Sequence, residues 1–212
     1  MQLEHKQTYT DFFNAIEQAV EKRYPTDTIP TLGMGSGTDS GTIAAALHSL
    51  NKEFKLVCLL GKEDKEVVLD RVRILDQEAT FINSMNPDQI LQTQKEMESI
   101  GFTLDKGTGI GRGTPHYILA KHCTKVLYSG LGTDEFYTGD HELMSSFFYF
   151  SHISYFHFNI TTKFPLLDSQ VIKEYYCLDP NLRVHYKQPF HQYMKDKQFP
   201  YTTKKIYFLA GA

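Results

Sequence analysis

The chain has 212 residues, of which 41% are hydrophobic and 22% charged, a composition typical of a globular domain. Its formal net charge of −3 gives no general electrostatic attraction to nucleic acid or to an anionic membrane, and we expect neither as a partner. Three widely spaced cysteines, with no signal peptide and no membrane-spanning stretch, predict a cytoplasmic protein with reduced thiols.

Apolar residues recur with the alternating periods of helices and strands over the N-terminal part of the chain. In chain order the pattern predicts a helix over 11–23, a strand over 29–34, a helix over 41–50, a strand over 55–60, a helix over 63–77, a strand over 79–83, a helix over 88–100, a glycine-rich loop over 101–113, a helix over 114–122 and a strand over 125–129. We expect Asp11 to cap the first helix and Pro115 to lie in the first turn of the last. Such alternation predicts βαβ units and a mostly parallel sheet.

The sequence changes character beyond residue 140. The stretch 145–158 crowds aromatic residues together, and we expect a helix buried in the core or under a partner, with His152 and His157 as core or rim histidines. No internal repeat or low-complexity linker marks a second domain. We therefore predict one domain over 1–212, with an α/β core over 1–140 and a mainly helical part over 141–212.

A loop rich in glycine, GMGSGTDSG at 33–41, follows the first predicted strand. Gly35, Gly37 and Gly41 would let the backbone approach an anion closely, next to the partial positive charge of a helix N-terminus. Three hydroxyl donors stand beside them: Ser36, Ser40 and Thr42. The loop lacks the lysine of a Walker A motif, and its aspartate would repel the pyrophosphate of a dinucleotide.

Two loops carry acidic residues that the predicted sheet brings to one edge. Asp39 follows the first strand, and Asp134 and Glu135 follow the strand over 125–129. The carboxyl ends of parallel strands share one edge, where ligands bind in such sheets. The pair Asp39 and Asp134 therefore predicts a Mg²⁺ site beside a phosphate cradle. The alternative is that these acids, or Ser40, only cap helices.

Four segments in order resemble the synthetase domain of asparagine synthetases and β-lactam synthetases, within the PP-loop ATP pyrophosphatase superfamily. They are GSGTDSG (35–41), SGLGTDEFYTG (129–139), FPLLD (164–168) and TKKIYF (203–208), and residues 15–30 resemble the lead-in helix and the proline before the loop. The resemblance implies a three-layer α/β/α fold of the adenine nucleotide alpha-hydrolase type, with a mostly parallel sheet and a helical C-terminal part.

The resemblance also implies an ATP site with Mg²⁺ on Asp39 and Asp134. The residues that match ATP contacts in the family are Gly33, Met34, Gly35, Ser36, Gly37, Asp39, Ser40, Leu60, Ser129 and Gly130. Lys205 matches the lysine that stabilises charge on the α-phosphate and the leaving pyrophosphate. The implied activity is that of an AMP-forming ligase: a small carboxylate attacks the α-phosphate of ATP, and ammonia or an amine then displaces AMP to give an amide.

Several positions depart from the family pattern. Gly35 and Ser36 stand in reversed order. Leu131 replaces the glutamate or tyrosine that assists the nucleophile, a task that Glu135, His116 or Tyr128 could take over. Lys163 stands in place of arginine, and the segment over 139–165 is short for the family. Met1 is not followed by the cysteine of a glutaminase domain, so we expect free ammonia, an amine, or a separate glutaminase or carrier partner to supply nitrogen.

Other interpretations stay open from the sequence. The chain could be a tailoring enzyme that adenylates a different carboxylate. It could also be a catalytically degenerate nucleotide-binding subunit, an interpretation that Leu131 favours. RNA modification by a PP-loop enzyme lacks support, because there is neither a cysteine pair nor a basic surface. Assembly into a homo-oligomer is left open.

Overall fold

The computed structural model describes residues 5–61, 63–84, 86–102, 109–138, 151 and 153–203. The strands are β1 (Thr31–Met34), β2 (Lys55–Leu60), β3 (Ala79–Asn83), β4 (Val126–Tyr128) and β5 (Thr161–Lys163). The helices are α1 (Thr10–Lys22), α2 (Thr38–Ser49), α3 (Lys65–Leu75), α4 (Pro87–Ser99), α5 (Gly109–Ala120), α6 (Thr133–Thr138), α7 (Ser169–Cys177) and α8 (Gln188–Asp196). Single 3-10 turns cover Pro165–Leu167 and Pro180–Arg183.

The described strands form one sheet in the order β3-β2-β1-β4-β5, and every neighbouring pair is parallel. The predicted α/β fold with a parallel sheet is therefore confirmed. The chain builds the sheet outward from β1 to β3 and then returns to place β4 on the other side of β1. This reversal makes the carboxyl ends of β1 and β4 the switch point of the sheet, the place where parallel sheets bind ligands.

Helices cover both faces of the sheet because successive strand residues point to opposite sides. In β2, Leu56 and Cys58 join a cluster with α1, α2 and α8 on one face. Val57 and Leu59 join a second cluster with Leu119 and its neighbours in α5 on the other face. This burial of both faces explains the continuous apolar run of β2 and gives the three layers that the resemblance implied.

The starts of α2 and α1 differ from their predictions. Helix α2 begins at Thr38 rather than residue 41, because Gly37 already has the extended conformation of an N-cap residue. Helix α1 begins at Thr10 after Tyr9, so Asp11 is not its cap and instead binds the Lys6 ammonium at 2.7 Å. The earlier start of α2 places Asp39 and Ser40 in the first helical turn.

The glycine-rich region after α4 was predicted as a loop up to residue 113, and this is wrong at its end. Helix α5 already begins at Gly109, which leaves Pro115 inside the helix rather than in its first turn. Residues 113–120 are all buried, so packing against the sheet holds the helix despite the hydrogen bond that proline cannot donate. Strand β5 was not predicted, since its residues, Thr161–Lys163, are polar and give no apolar signal.

The aromatic segment is described only in part. Residues 151 and 153–157 are helical, as predicted. Residues 145–150 and His152 lie outside the described residues. Tyr155 is buried in the core, whereas Phe156 is 74% exposed in the single chain, so burial under a partner stays a prediction for that ring. Cys58 is buried in the core, and Cys123 is half-buried beside α5.

Candidate functional site

The loops that follow β1 and β4 meet at the switch point of the sheet. β1 and β4 are neighbours, with Leu32 opposite Tyr128 in the register. A methyl group built on Gly130 would lie 2.6 Å from the Cβ atom of Asp39 and 3.1 Å from its carbonyl carbon. Only glycine allows this approach, so the two loops form a single surface.

A lysine from the C-terminal part of the chain lies between the two aspartates. The Lys187 ammonium is 3.4 Å from Oδ2 of Asp39 and 2.7 Å from Oδ1 of Asp134. Asp39 lies in the first turn of α2, Asp134 in the first turn of α6, and Lys187 directly precedes α8. Three separate elements thus bring two carboxylates to one cation.

The electrostatics of this cluster keep Lys187 charged. Burial by itself would lower the pKa of Lys187, but Asp39 and Asp134 outweigh that effect and raise it above the ordinary lysine value. Burial, together with the Asp134 and Asp39 charges, also raises the pKa of the neighbouring Tyr186 to about 12. Because both carboxylates face one cation position, their chemistry fits a divalent cation as well as an ammonium.

A buried arginine holds the glycine-rich loop from below. The Arg71 side chain has no exposed surface, and its Nη1 donates to the carbonyl oxygens of Gly35 at 2.5 Å and Gly37 at 3.0 Å. Its Nε donates to the carbonyl of Pro200 at 2.9 Å. A methyl group on Gly41 would lie 2.5 Å from Arg71 Nη2. Gly41 was predicted to admit an anion; in the structure its missing side chain makes room for Arg71.

Ser36 contacts an acid that the sequence did not suggest. Oε2 of Glu63 accepts a hydrogen bond from the Ser36 backbone N–H at 2.6 Å and another from its hydroxyl. The same hydroxyl accepts from the backbone N–H of Asp64 at 3.1 Å. Ser36, whose place in the loop departs from the family pattern, therefore joins the loop after β1 to the segment between β2 and α3.

The remaining hydroxyl groups of the two loops have partners within the chain. The Gly35 N–H donates to Ser40 Oγ at 3.3 Å, and the Leu131 N–H donates to Ser129 Oγ at 3.1 Å. The hydroxyl of Thr38 lies 2.9 Å from Nε2 of His191. Burial, with the Lys187 and His185 charges, lowers the pKa of His191 to about 4, so a neutral imidazole stands at the start of α2.

The other predicted ATP contacts lie where β1 and β2 end. A methyl group on Gly33 would lie 2.8 Å from Leu119 Cδ2, so this glycine packs against α5. The Met34 side chain is buried in the core cluster on the α1 face, and Leu60 packs against the same cluster. Gly37 has open space around the position of a Cβ atom. Lys205 and the side chain of Glu135 lie outside the described residues.

Two groups suggested as substitutes for the missing proton acceptor are engaged in the core. The Tyr128 hydroxyl donates to the carbonyl of Val20 in α1 at 3.0 Å. Nδ1 of His116 lies 2.8 Å from the Tyr155 hydroxyl, and burial lowers the pKa of His116 to about 4. Those positions make His116 and Tyr128 core residues rather than bases beside Asp39 and Asp134.

Sequence reasoning missed Lys187, Arg71, Glu63 and His191. A signal existed for Arg71, because Val68, Arg71 and Leu75 have the i, i+3, i+7 spacing of one helix face, and all three are buried. No comparable signal marked Lys187 or His191, since only the folded chain brings the region around α8 to α2.

Within the described part of the chain, no group of three or more His, Cys, Asp or Glu side chains could hold a metal ion. A cation at this site would therefore rest on the Asp39 and Asp134 pair. The described residues also contain no helix that is long and apolar enough to cross a membrane.

The chain matches no protein family model and no curated protein sequence. Among solved structures it is similar to an NMN synthetase from Francisella tularensis. The two share 12% sequence identity and a TM-score of 0.45, and the match covers 95% of this chain and 100% of the other. A likeness at this level carries no inference about function.

Proposed function

We propose that this protein is an ATP- and Mg²⁺-dependent enzyme that activates a small carboxylate by adenylation and forms an amide with ammonia or an amine. The proposal combines the resemblance of the four sequence segments with the contact between the loops that follow β1 and β4. Its finer parts, asparagine synthetase-like chemistry and the identity of the acid, rest on the resemblance.

One observation carries the proposal: Asp39 and Asp134, from loops at two neighbouring strand ends, face a single cation position marked by the Lys187 ammonium. Capping of two helices would not require both acids to meet at one point. Paired carboxylates next to a glycine-rich loop suit a metal ion that accompanies a polyphosphate.

The described residues would have separate roles in this reaction. Asp39 and Asp134 would hold Mg²⁺, which neutralises charge on the phosphates when bound. Lys187, once displaced from the carboxylates, would add positive charge beside the phosphates, the part that the resemblance gave to Lys205. Arg71 would hold the loop backbone in place. The carboxylate substrate would attack the α-phosphorus as pyrophosphate leaves, and the amine would then displace AMP.

A second candidate is a nucleotide-binding subunit without catalysis. It is favoured by Lys187, which fills the place between the carboxylates, and by Leu131, which cannot accept a proton. A tailoring enzyme acting on a different carboxylate is distinguished from the first proposal only by its substrate.

Release of pyrophosphate and AMP tests the proposal. The chain is incubated with Mg-ATP and a panel of carboxylic acids, with ammonia or with amines. We expect release with at least one acid and a loss of at least about a hundredfold in Asp39→Ala and Asp134→Ala, the size of effect found for groups that stabilise transition-state charge. Asp70→Ala, an exposed acid on α3, is the matched control and should retain activity.

The other outcomes decide between the candidates. Calorimetric binding of Mg-ATP without release for any acid would favour the nucleotide-binding subunit. The absence of both Mg-ATP binding and pyrophosphate release would contradict both candidates.

A further inference from the structure

Glu63 is an acid placed against the loop that is proposed to bind phosphate. Its Oε2 accepts hydrogen bonds from the Ser36 backbone N–H at 2.6 Å and from the Ser36 hydroxyl. A methyl group on Gly35 would lie 2.6 Å from the other carboxylate oxygen, Oε1. A carboxylate of the chain thus lies in direct contact with the backbone of Gly35 and Ser36. We call the Gly35–Ser36 peptide with the Ser36 hydroxyl the oxyanion seat.

The polarity of this seat follows from the planar peptide bond. The C=O and N–H of a trans peptide point in opposite directions. The Gly35 carbonyl points to the guanidinium of Arg71 at 2.5 Å, so the Ser36 N–H of the same peptide points away from Arg71. The group found in that direction is the carboxylate of Glu63. An N–H and a hydroxyl that converge on one oxygen form an anion-binding site.

We infer that Glu63 is the internal occupant of the oxyanion seat and limits its affinity for phosphate groups, which must displace the Glu63 carboxylate to bind there. The inference rests on the proposed function, in that the seat belongs to the proposed polyphosphate site. A carboxylate and a phosphate oxygen need the same two donors, and their negative charges repel each other at this distance. Glu63 thereby sets the affinity of the oxyanion seat for phosphate groups.

A structural role for Glu63 predicts the opposite result. If the carboxylate only fixes the loop to the start of α3, its removal would make Ser36 less ordered and weaken the binding of any anion nearby. The two roles therefore differ in the sign of the change in affinity.

Anion binding to two Glu63 variants tests the inference. Glu63→Gln keeps the size and the accepting oxygen but removes the charge, and Glu63→Ala empties the seat. Glu66→Gln is the matched control, because it removes the same charge from an exposed position in the first turn of α3. Calorimetry measures the affinity of each variant for inorganic pyrophosphate without metal and, separately, for Mg-ATP. Thermal melting checks that each variant is folded.

We expect Glu63→Gln and Glu63→Ala to bind pyrophosphate about tenfold tighter than the unchanged chain, with Glu66→Gln unchanged. Equal or weaker binding by both Glu63 variants, with normal melting, would overturn the inference. Turnover of Mg-ATP by the unchanged chain would in that case leave the proposed function standing. Tighter pyrophosphate binding without turnover of Mg-ATP by any variant would support the inference and count against the enzyme.

Discussion

Replacing Arg71 by methionine removes the buried guanidinium beneath the glycine-rich loop. Methionine fills a similar volume but donates no hydrogen bond, so the carbonyls of Gly35 and Pro200 lose their donor. The Gly37 carbonyl keeps its bond from the Gly41 N–H at 3.2 Å. The side chain also lies over the ring of Phe199, with 5.8 Å from its central carbon to the ring centroid.

The size of the effect follows from these bonds. Leaving a buried carbonyl without a donor costs about 1–3 kcal/mol, which gives roughly 2–6 kcal/mol for two. Part of this is offset because a charged group no longer has to be buried, which reduces the net loss to about 3 kcal/mol. For a chain of this length, 1 kcal/mol shifts Tm by about 2–4 °C, so we expect a decrease of about 6–12 °C.

Thermal unfolding by circular dichroism measures this decrease. Arg73→Met is the matched control, because Arg73 lies on the same helix with an exposed side chain and pairs with Asp70 at the surface; it should change the free energy of unfolding by at most about 0.5 kcal/mol. Arg71→Lys should resemble Arg71→Met, since one ammonium does not reproduce the planar fork. Equal Tm values for Arg71→Met and Arg73→Met would refute the idea that Arg71 supports the loop.

Two further predictions concern the contact between the loops and, separately, the buried His116. Gly130→Ala should lower the free energy of unfolding by about 1–3 kcal/mol, because the new methyl group meets Asp39. Gly37→Ala places its methyl group in open space and should lower it less in the same denaturant titration. Equal losses in the two variants would contradict the close approach of the loops. Burial lowers the pKa of His116 to about 4, so the unfolded chain binds a proton at higher pH than the folded one, and stability should fall as the pH drops from about 6.5 to 4. Across this pH range the free energy of unfolding should decline less steeply in His116→Gln than in His48→Gln, the control at an exposed position. Identical pH profiles of the two variants would count against a buried neutral imidazole at His116.

The periodic part of the sequence predicted the α/β core well. The strands β2 and β3 agree with their predicted bounds. In β2 a continuous buried apolar run between two helical patterns leaves little choice of structure. The errors lie where packing overrides a local preference. Pro115 lies inside α5, and β5 consists of the polar residues Thr161–Lys163, so neither feature follows from local sequence.

The sequence by itself also placed Asp39 and Asp134 at one edge of the sheet, since parallel strands end on the same side. Only the tertiary structure shows what surrounds them, because Arg71, Lys187 and Glu63 reach the loops from positions distant in sequence. Long-range contacts leave no periodic trace in a single chain. GMGSGTDSG therefore identified the glycine-rich loop, whereas the fold determines that Arg71 holds its carbonyls, Glu63 contacts Ser36, and Lys187 joins Asp39 to Asp134.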